Sequence, residues 1–503
     1  MCHVNTVLDY LDLQAARRPD CVALADAAQQ ITFAQLAERT DALATVLLQK
    51  GIRKEAVGVI ARRSADVPAL FFAVLKTGSF YVPLDPDLKP EKLAHICENA
   101  RLRYVLDTQD APALPEGIEA IDCSALWQLP ADSALLAAVR VEMTAADPLY
   151  LIYTSGSTGV PKGVLKSHGA MISYIEAFTA RYALTDRDAL GNQTPFFFDA
   201  SSKDIYWMLH DGVRLEVLDT GLFSQPYVLV EYLNEKKITV ISWVPSALAI
   251  ISQLNTFADI LPEHLHAIFF IGEVFPMKQF NIWKKHLPHV RYVNLYGQSE
   301  LAGACCYYEV DRDFADDETL PIGRPLSNAQ ILLLDGDQPI TAANTTGEIC
   351  IVSPALADGY YGDAEKTAAA FVTYDLNGTP VRMFRTGDMA RWDESGKLVF
   401  AARRDAQIKH MGYRIELGEI EAAAASLDEI IDCACLYDTV KSKIVLFCTA
   451  REGVTKAALR KALRGKLSTY MVPSKIEILP QLPRNANGKT DRVLLKSYLQ
   501  QEE

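Results

Sequence analysis

The sequence of 503 residues has no long apolar run, no basic excess and no paired cysteine motif. Its most apolar stretches, such as residues 267–271 and 444–448, have the length of a strand, whereas a membrane-spanning helix needs about 18 apolar residues. The first residues, MCHVNTVLDYLD, lack the basic segment and apolar stretch of a secretory signal. These absences argue against membrane insertion and export, so we expect a cytoplasmic protein without a membrane partner.

Acidic residues outnumber basic ones, 63 against 50, which gives a net charge of −13. An acidic surface repels the phosphates of nucleic acids, so we expect no nucleic-acid partner. The ten cysteines are scattered without CxxC or Cys/His ligand spacing, and we interpret them as reduced, small hydrophobic residues. Half of the residues are hydrophobic, which is enough for a large folded core.

Strand and helix patterns alternate along most of the chain and predict an α/β fold. Residues 149–153, 238–244, 267–271 and 290–296 read as strands separated by helices, which predicts parallel sheets covered on both faces. Helices are predicted at 8–18 and 33–50, and strands at 56–60 and 80–83. After residue 400 the composition changes, and a helix at 416–427, a strand at 443–449 and a helix at 456–467 predict a small α+β domain. We therefore predict a large domain over residues 1–404 and a small one over 405–503.

A glycine- and hydroxyl-rich loop, YTSGSTGVPKG at residues 153–163, follows directly after a predicted strand. Its glycines let the backbone approach a ligand, its hydroxyls donate hydrogen bonds and its lysine supplies a cation, which together suit a polyphosphate. The ligand candidates are Thr154, Ser155, Gly156, Ser157, Thr158, Gly159 and Lys162. The order differs from the GxxxxGK[ST] phosphate loop, and composition alone is equally compatible with a solvated surface loop.

The same string resembles the phosphate loop of the adenylate-forming superfamily, which includes acyl-CoA synthetases, luciferases and the adenylation domains of nonribosomal peptide synthetases. Further segments resemble the family's motifs in the family's order. They are residues 75–86 (LKTGSFYVPLDP), 294–300 (NLYGQSE), 347–349 (GEI), 385–388 (RTGD), 402–417 (ARRDAQIKHMGYRIEL) and 487–492 (NGKTDR). The resemblance covers essentially the whole chain, and it is strongest to stand-alone D-alanine–D-alanyl carrier protein ligases and peptide synthetase adenylation domains.

The resemblance implies a two-step reaction with ATP and Mg²⁺. A carboxylate attacks the α-phosphorus of ATP to give an acyl-adenylate and pyrophosphate, and a phosphopantetheine thiol then displaces AMP. Lys489 and Arg403 are the implied catalytic cations, because two anions must be brought together. The implied nucleotide ligands are the loop residues named above together with Asn294, Tyr296 against adenine, Gly297, Asp388 on the ribose hydroxyls, Arg403 and Lys489, and Glu300 is the implied Mg²⁺ ligand.

The segment FDAS at residues 198–201 resembles the one with which amino-acid-activating members bind the substrate's α-ammonium through an aspartate, here Asp199. The resemblance thus favours an α-amino acid, whereas the residue pattern alone also permits Asp199 as the N-cap of a helix over residues 200–209. The implied substrate pocket consists of Asp199, Ala200, Lys203, Ser242, Phe269, Ile271, Leu295, Gly303 and Ala304. Its large apolar members favour a small side chain.

Three positions in the implied substrate pocket and in the NLYGQSE motif need separate interpretation. D-Alanine ligases usually have cysteine where this chain has Ile271, which leaves the stereochemistry of the substrate open. Lys203 has three alternatives: neutralising Asp199, pairing with a second carboxylate of an acidic substrate, or acting as a solvated partner of Asp204. Gln298 stands where peptide synthetases mostly carry proline, and the sequence offers no explanation for it.

By resemblance the small domain is mobile and rotates between the two half-reactions, with Asp405 at the hinge and Gly412 facing the pantetheine arm; Gly412 could equally be a turn glycine. The chain ends about ten residues after Arg492, so we expect the acceptor to be a separate phosphopantetheinylated carrier protein. The alternatives are a coenzyme A ligase for a non-amino carboxylate, a non-catalytic nucleotide-binding protein and a scaffold within a biosynthetic complex.

Overall fold

The structure is a computed structural model that describes residues 4–109, 112–154, 161–403, 407–484 and 490–500, without the side chains of Val493 and Gln500. It contains two compact units. One comprises Met1–Pro86, Ala94–Tyr153 and Gly163–Arg404, and the other comprises Asp87–Leu93, Thr154–Lys162 and Asp405–Glu503.

The helices of the described residues are, in chain order, α1 Leu8–Arg17, α2 Phe33–Gln49, α3 Asp66–Lys76, α4 Pro90–Asn99, α5 Ser133–Arg140, α6 His168–Tyr182, α7 Asp199–Asp211, α8 Pro226–Glu235, α9 Pro245–Gln253, α10 Met277–His286, α11 Ala364–Ala370, α12 Leu417–Ala425, α13 Lys456–Lys466 and α14 Arg492–Gln500. Short 3-10 helices cover Leu126–Gln128, Thr220–Ser224, Thr256–Ala258 and Thr469–Met471.

The strands up to residue 309 are β1 Val22–Ala25, β2 Gln30–Thr32, β3 Ala56–Ile60, β4 Phe80–Leu84, β5 Tyr104–Asp107, β6 Glu119–Asp122, β7 Pro148–Thr154, β8 Lys162–Ser167, β9 Ala189–Asn192, β10 Arg214–Val217, β11 Val240–Trp243, β12 Ala267–Ile271, β13 Arg291–Tyr296 and β14 Cys306–Glu309. The later strands are β15 Arg324–Pro325, β16 Gln330–Asp335, β17 Gln338–Pro339, β18 Gly347–Val352, β19 Gly359–Tyr360, β20 Phe371–Leu376, β21 Thr379–Trp392, β22 Leu398–Arg403, β23 Gln407–His410, β24 Tyr413–Glu416, β25 Ile430–Asp438, β26 Lys443–Ala450 and β27 Lys475–Ile478.

Local sequence explains where several helices begin. The hydroxyl of Thr32 accepts a hydrogen bond from the Gln35 backbone, and the Gln35 side chain accepts one from the Thr32 backbone, so the two residues form a capping box at the start of α2. α8 and α9 each begin with a proline at their first turn, where the missing N–H has no intrahelical partner to lose.

The first unit is built on two parallel-rich sheets. Their strand orders are β15-β14-β13-β12-β11-β9-β10-β1-β2 and β19-β8-β7-β4-β3-β5-β6. The central pairs β9–β11, β11–β12 and β12–β13 are parallel, as the alternation of strands and helices predicts. The α/β fold class with parallel-rich sheets in a large N-terminal part and a smaller C-terminal part is confirmed.

A third sheet, in the order β17-β16-β18-β21-β20 with β22 also paired to β21, is antiparallel and was not predicted from the sequence. Its residues Ile349, Ile351, Phe384 and Leu398 belong to an apolar core that also contains Val164 of β8 and Tyr296 of β13.

The second unit contains the antiparallel hairpin β23–β24 and the three-stranded sheet β25-β26-β27. α12 and α13 contribute Ile420 and Leu463 to a core that also contains Leu446 of β26. The helices and strand predicted after residue 400 are present with ends shifted by at most a few residues. Among the described residues no helix is both long and apolar enough to cross a membrane.

Candidate active site

Asp388 is the centre of a buried polar cluster in the first unit. The Tyr296 hydroxyl donates to its Oδ2 at 2.6 Å, and the Arg403 guanidinium donates to its Oδ1 at 2.7 Å. The antiparallel register of β21 and β22 places Asp388 directly opposite Arg403, while Tyr296 is the last residue of β13. Burial, together with the Asp388 carboxylate, raises the pKa of Tyr296, so this phenol remains a donor. The structure thus brings together three of the predicted nucleotide ligands.

Gln298 joins the same cluster. Its amide nitrogen donates to Oδ2 of Asp388 and, at 3.4 Å, to the backbone carbonyl of Thr386. The side chain is buried, and its Oε1 atom has no hydrogen-bond partner in the part of the chain that the structure describes. The residue that the sequence left unexplained therefore contacts the predicted ribose ligand.

Glu300 is fully buried, and its Oε1 accepts a hydrogen bond from the Tyr360 hydroxyl at 2.8 Å. No group of three or more His, Cys, Asp or Glu residues suited to a metal ion occurs among the described residues. A single carboxylate fits Mg²⁺, because this ion keeps several waters and is bound through one or two carboxylates plus substrate phosphates. Glu300 thus fits as the protein ligand of a nucleotide-bound Mg²⁺.

The phosphate loop is described only at its two ends. Thr154 ends β7, and its buried Oγ1 has no hydrogen-bond partner among the described residues. Lys162 begins β8 and is half-buried. Ser155, Gly156, Ser157, Thr158 and Gly159 lie outside the described residues.

The predicted apolar pocket residues lie on one face of the nine-stranded sheet. The parallel register pairs Ser242 with Phe269 and Ile271 with Leu295, and residues two apart on a strand point to the same face. Phe269 packs edge-on against Tyr182 and Trp207, at ring-centroid distances of 5.0 and 5.2 Å. The face is therefore covered by α6 and α7, the helix that begins with Asp199.

Asp199 forms a buried ion pair that the sequence did not reveal. Its Oδ1 accepts hydrogen bonds from the Lys166 ammonium and, at 2.8 Å, from the Tyr150 hydroxyl. Lys166 is completely buried and also donates to the carbonyl of Leu301. Burial raises the pKa of Asp199 and lowers that of Lys166.

The N-cap alternative for Asp199 is wrong. α7 begins at Asp199 itself, the N-cap position is Phe198, and no side-chain cap hydrogen bond is present. The carboxylate pairs with Lys166 instead, because leaving a buried charge unpaired costs more free energy than leaving out the hydrogen bond that caps the helix. Ala200 follows Asp199 in α7 and is half-buried.

Lys203 pairs with Asp204, and both side chains are 2% exposed. The second oxygen of Asp204 accepts from the Asn192 amide at 3.0 Å, and the Lys203 ammonium lies 5.4 Å from the Trp207 ring centroid. The third alternative predicted Asp204 as the partner of Lys203, and this partner is correct. The predicted solvated environment is wrong, because the pair is buried. The ammonium that neutralises Asp199 belongs to Lys166, so the alternative that gave this role to Lys203 is wrong.

Two glycines are required by close packing. A Cβ on Gly297 would lie 2.1 Å from the carbonyl oxygen of Gly303, and a Cβ on Gly303 would lie 2.4 Å from the ring of Tyr174. Gly303 also has a φ of +96°, which disfavours any side chain. These contacts place the segment after β13 against the one that continues to β14.

Not every predicted ligand joins a cluster. The Asn294 amide donates to the carbonyl of Pro321 at 2.8 Å, so it has a structural partner. Gly412, with a φ of +82°, forms the turn between β23 and β24 together with Met411. Lys489 and Asp405 lie outside the described residues.

Sequence reasoning missed Lys166, Tyr150 and Tyr360. Lys166 carried a signal, because it shares the face of β8 that carries the buried Val164, a position where a lysine needs a buried partner. Tyr150 and Tyr360 carried none, since a buried tyrosine is an ordinary core residue.

Comparison with family models matches residues 11–361 to "AMP-binding enzyme" and residues 419–489 to "AMP-binding enzyme C-terminal domain". Tyrocidine synthase 2 of Brevibacillus parabrevis is 33% identical over 98% of this chain, which spans 14% of that protein. Zwittermicin A synthase ZmaJ of Bacillus cereus is 30% identical, with coverage of 96% of this chain and 93% of the relative. The chain spans less than a fifth of the length of several of the curated relatives it matches.

Among solved structures, holo-PA1221, described as a nonribosomal peptide synthetase protein containing adenylation and peptidyl carrier protein (PCP) domains, superimposes with a TM-score of 0.86 at 26% identity. The match covers 98% of this chain and 84% of that one. The resemblance to the adenylate-forming superfamily is confirmed, and the chain belongs to the AMP-binding enzyme family.

Proposed function

We propose that the chain activates an amino acid. A carboxylate oxygen of the amino acid attacks the α-phosphorus of ATP, the bond from that phosphorus to pyrophosphate breaks, and an aminoacyl-adenylate forms. The thiol of a separate phosphopantetheinylated carrier protein then loses its proton and attacks the acyl carbon, so that AMP leaves and a thioester remains.

The observation that carries the nucleotide half is the cluster of Tyr296, Asp388 and Arg403. A buried carboxylate with prearranged donors is suited to accept hydrogen bonds from ribose hydroxyls, and a neighbouring guanidinium is suited to phosphate oxygens. Similarity to peptide synthases, and to a protein described as containing adenylation and PCP domains, supports the amino-acid and carrier-protein parts.

Thr154 and the loop that follows it would donate hydrogen bonds to the phosphates. The neutralising charge would come from Lys162, from Lys489 and from a Mg²⁺ ion held by Glu300. Mg²⁺ would offset the negative charge of the phosphate oxygens. Lys489 would screen the repulsion between the substrate carboxylate and the α-phosphate and would align the attack.

Asp199 supports the amino-acid assignment. Its Oδ2 atom accepts no hydrogen bond from any described residue, and the side chain is 10% exposed, so one oxygen remains open to an α-ammonium. The face formed by Ser242, Phe269, Ile271 and Leu295, together with Gly303, would surround the substrate side chain.

A second candidate substrate class is a carboxylic acid without an α-ammonium. The observation that favours it is Lys166, because this internal ammonium already neutralises Asp199 and weakens the attraction for a second cation. Such an acid would be activated by the same chemistry and transferred to a carrier protein or to coenzyme A.

The two half-reactions need different partners at one site, and we assign the exchange to a rotation of the C-terminal domain (405–503) about Asp405. Gly412 would then face the pantetheine arm. An Asp405→Pro variant is expected to slow thioester formation more than adenylate formation, because proline restricts the backbone at the hinge. Equal slowing of both steps would remove Asp405 from this role.

The experiment that tests the proposal is ATP–pyrophosphate exchange with D- and L-amino acids, including acidic ones, and with the matching α-hydroxy acids. Exchange with one or a few amino acids supports the proposal, exchange with only hydroxy acids supports the second candidate, and no exchange with any amino acid contradicts the proposal. A thioester assay with a phosphopantetheinylated carrier protein or coenzyme A as acceptor then identifies the second step.

A further inference from the structure

The amide of Gln298 has a fixed orientation. Its nitrogen lies against the Asp388 carboxylate and the Thr386 carbonyl, and both of these groups only accept hydrogen bonds. A flipped amide would place an oxygen against two acceptors, so Oε1 must be the atom that points away from Asp388.

This Oε1 atom is a buried acceptor without a donor. Gln298 is 6% exposed, and no described residue donates to its oxygen. Leaving a buried acceptor without a hydrogen bond destabilises the folded chain. A donor on a bound molecule beside Asp388 would remove this destabilisation, while the amide nitrogen keeps its hydrogen bonds to Asp388 and Thr386.

The position of the amide indicates which group of a ligand would donate a hydrogen bond to Oε1. The proposed function assigns Asp388 to the ribose, and the Gln298 amide is in direct contact with that carboxylate. Asp388 already accepts from Tyr296, Gln298 and Arg403, whereas a carboxylate offers about four lone-pair sites. Two cis hydroxyls therefore exceed what Asp388 can accept while it keeps these three donors.

We propose that the ribose diol is shared between two residues: Asp388 accepts one hydroxyl and Oε1 of Gln298 accepts the other. Gln298 is thereby a specificity-determining residue for the sugar of the nucleotide, at a position that the family motif usually fills with proline. The inference rests on the proposed function only in requiring that a nucleotide binds at Asp388.

The test is calorimetric binding of AMP, 2′-deoxy-AMP and 3′-deoxy-AMP to the full chain, which needs no knowledge of the acid substrate. In the parent, removing either hydroxyl is expected to weaken binding about tenfold, the factor that corresponds to 1.4 kcal/mol. For each hydroxyl, the preference is the ratio of the dissociation constant of the deoxy nucleotide to that of AMP. In Gln298→Leu this ratio is expected to fall to about one for one hydroxyl and to stay unchanged for the other.

Gln298→Met serves as a second variant should leucine prevent folding, and thermal unfolding verifies that each variant is folded. Asn328→Leu is the matched control, because the Asn328 amide also donates, to Ser173, while its buried Oδ1 has no partner among the described residues. This control is expected to keep both preferences.

Unchanged preferences for both hydroxyls in the folded Gln298 variants would overturn the proposal. Inosine monophosphate provides a further arm: if the Gln298 substitution weakens AMP but not this nucleotide, the donor to Oε1 is the adenine amino group and the ribose assignment is wrong. Failure of the chain to activate any acid, with sugar discrimination intact, would contradict the proposed function and leave this inference standing.

Discussion

Lys166 donates to the oxygen of Asp199 that also accepts the Tyr150 hydroxyl, which leaves the other carboxylate oxygen with no hydrogen bond from a described residue. The pair is buried, and burial acts on both partners by raising the pKa of the acid and lowering that of the amine. Its charges are therefore tolerated only because each compensates the other.

Replacing only one partner of this ion pair should reduce the free energy of unfolding more than replacing both partners. Lys166→Met is expected to reduce the free energy of unfolding by about 3–5 kcal/mol, because it leaves Asp199 buried and unpaired. Lys166→Met combined with Asp199→Asn is expected to lose clearly less than the sum of the single variants. Urea denaturation at pH 7 measures the cycle, and additive losses would show that the two residues do not interact.

His168 is expected to make the fold sensitive to acid. Burial lowers its pKa from 6.5 to about 3, and its Nδ1 accepts from the backbone N–H of Val7 at 3.3 Å. The unfolded chain binds the proton more readily than the folded one, so stability is complete above pH 6.5 and falls as the pH decreases toward 3. The slope attributable to this group is at most about 1.4 kcal/mol per pH unit.

His168→Asn keeps an acceptor for the Val7 N–H but cannot titrate. Denaturation between pH 7 and 4 should show a shallower loss of stability in this variant than in the parent. Parallel curves for the two proteins would mean that His168 is protonated equally in both states.

Gly297 is expected to tolerate no side chain. In Gly297→Ala the new Cβ would lie 2.1 Å from the Gly303 carbonyl oxygen, a backbone atom that moves only with its segment. We expect a loss of about 1–3 kcal/mol in unfolding free energy and weaker AMP binding, because Tyr296 precedes this residue.

Gly465→Ala is the matched control, since this glycine lies inside α13 and no heavy atom outside its own helix turn lies within 4 Å of the place that a Cβ would take. Here alanine is expected to stabilise the chain by about 0.4–1 kcal/mol. Thermal unfolding of both variants measures these effects. A Gly297 variant as stable as the parent would show that the Gly303 segment can move away from the new Cβ at no cost in stability.

Lys489 is expected to act on the first half-reaction. Lys489→Met should slow adenylate formation by roughly 10²–10³-fold, by analogy with removal of a preorganised group that stabilises developing charge. Lys496→Met, a change at an exposed position of α14, is the control and should leave the rate unchanged. The measurement is single-turnover adenylate formation, and a rate equal to that of the parent would exclude this role of Lys489.

The sequence predicted the elements of the first unit well wherever hydrophobic period and length agreed. β3 and β12 coincide with their predicted ranges, because each is a run of five mainly apolar residues, a length that is typical of a strand and too short for most helices. The antiparallel sheet around β21 was missed because several of its strands pair directly with the next strand along the chain, as β16–β17, β20–β21 and β21–β22 do. The prediction relied on alternating strands and helices, which indicate parallel sheets.

In the site, too, some contacts were predictable from the sequence and others were not. Motifs identified Tyr296 and Asp388, whose contact is present, but no local pattern could reveal that Lys166 reaches Asp199 across 33 positions of the chain. The environment of Lys203 was misjudged for a related reason, because burial of a helix face depends on which sheet covers it. The roles of Lys489 and Asp405 stay predictions.

Phe269 belongs both to the predicted pocket and to the aromatic core beneath it, whereas Ile271, two residues along the same strand, is only half-buried. Attempts to broaden the range of accepted acids by engineering should therefore begin at Ile271. A smaller residue at position 269 would remove the ring that packs against Phe178, Tyr182 and Trp207. Such a variant would gain pocket volume and lose thermal stability.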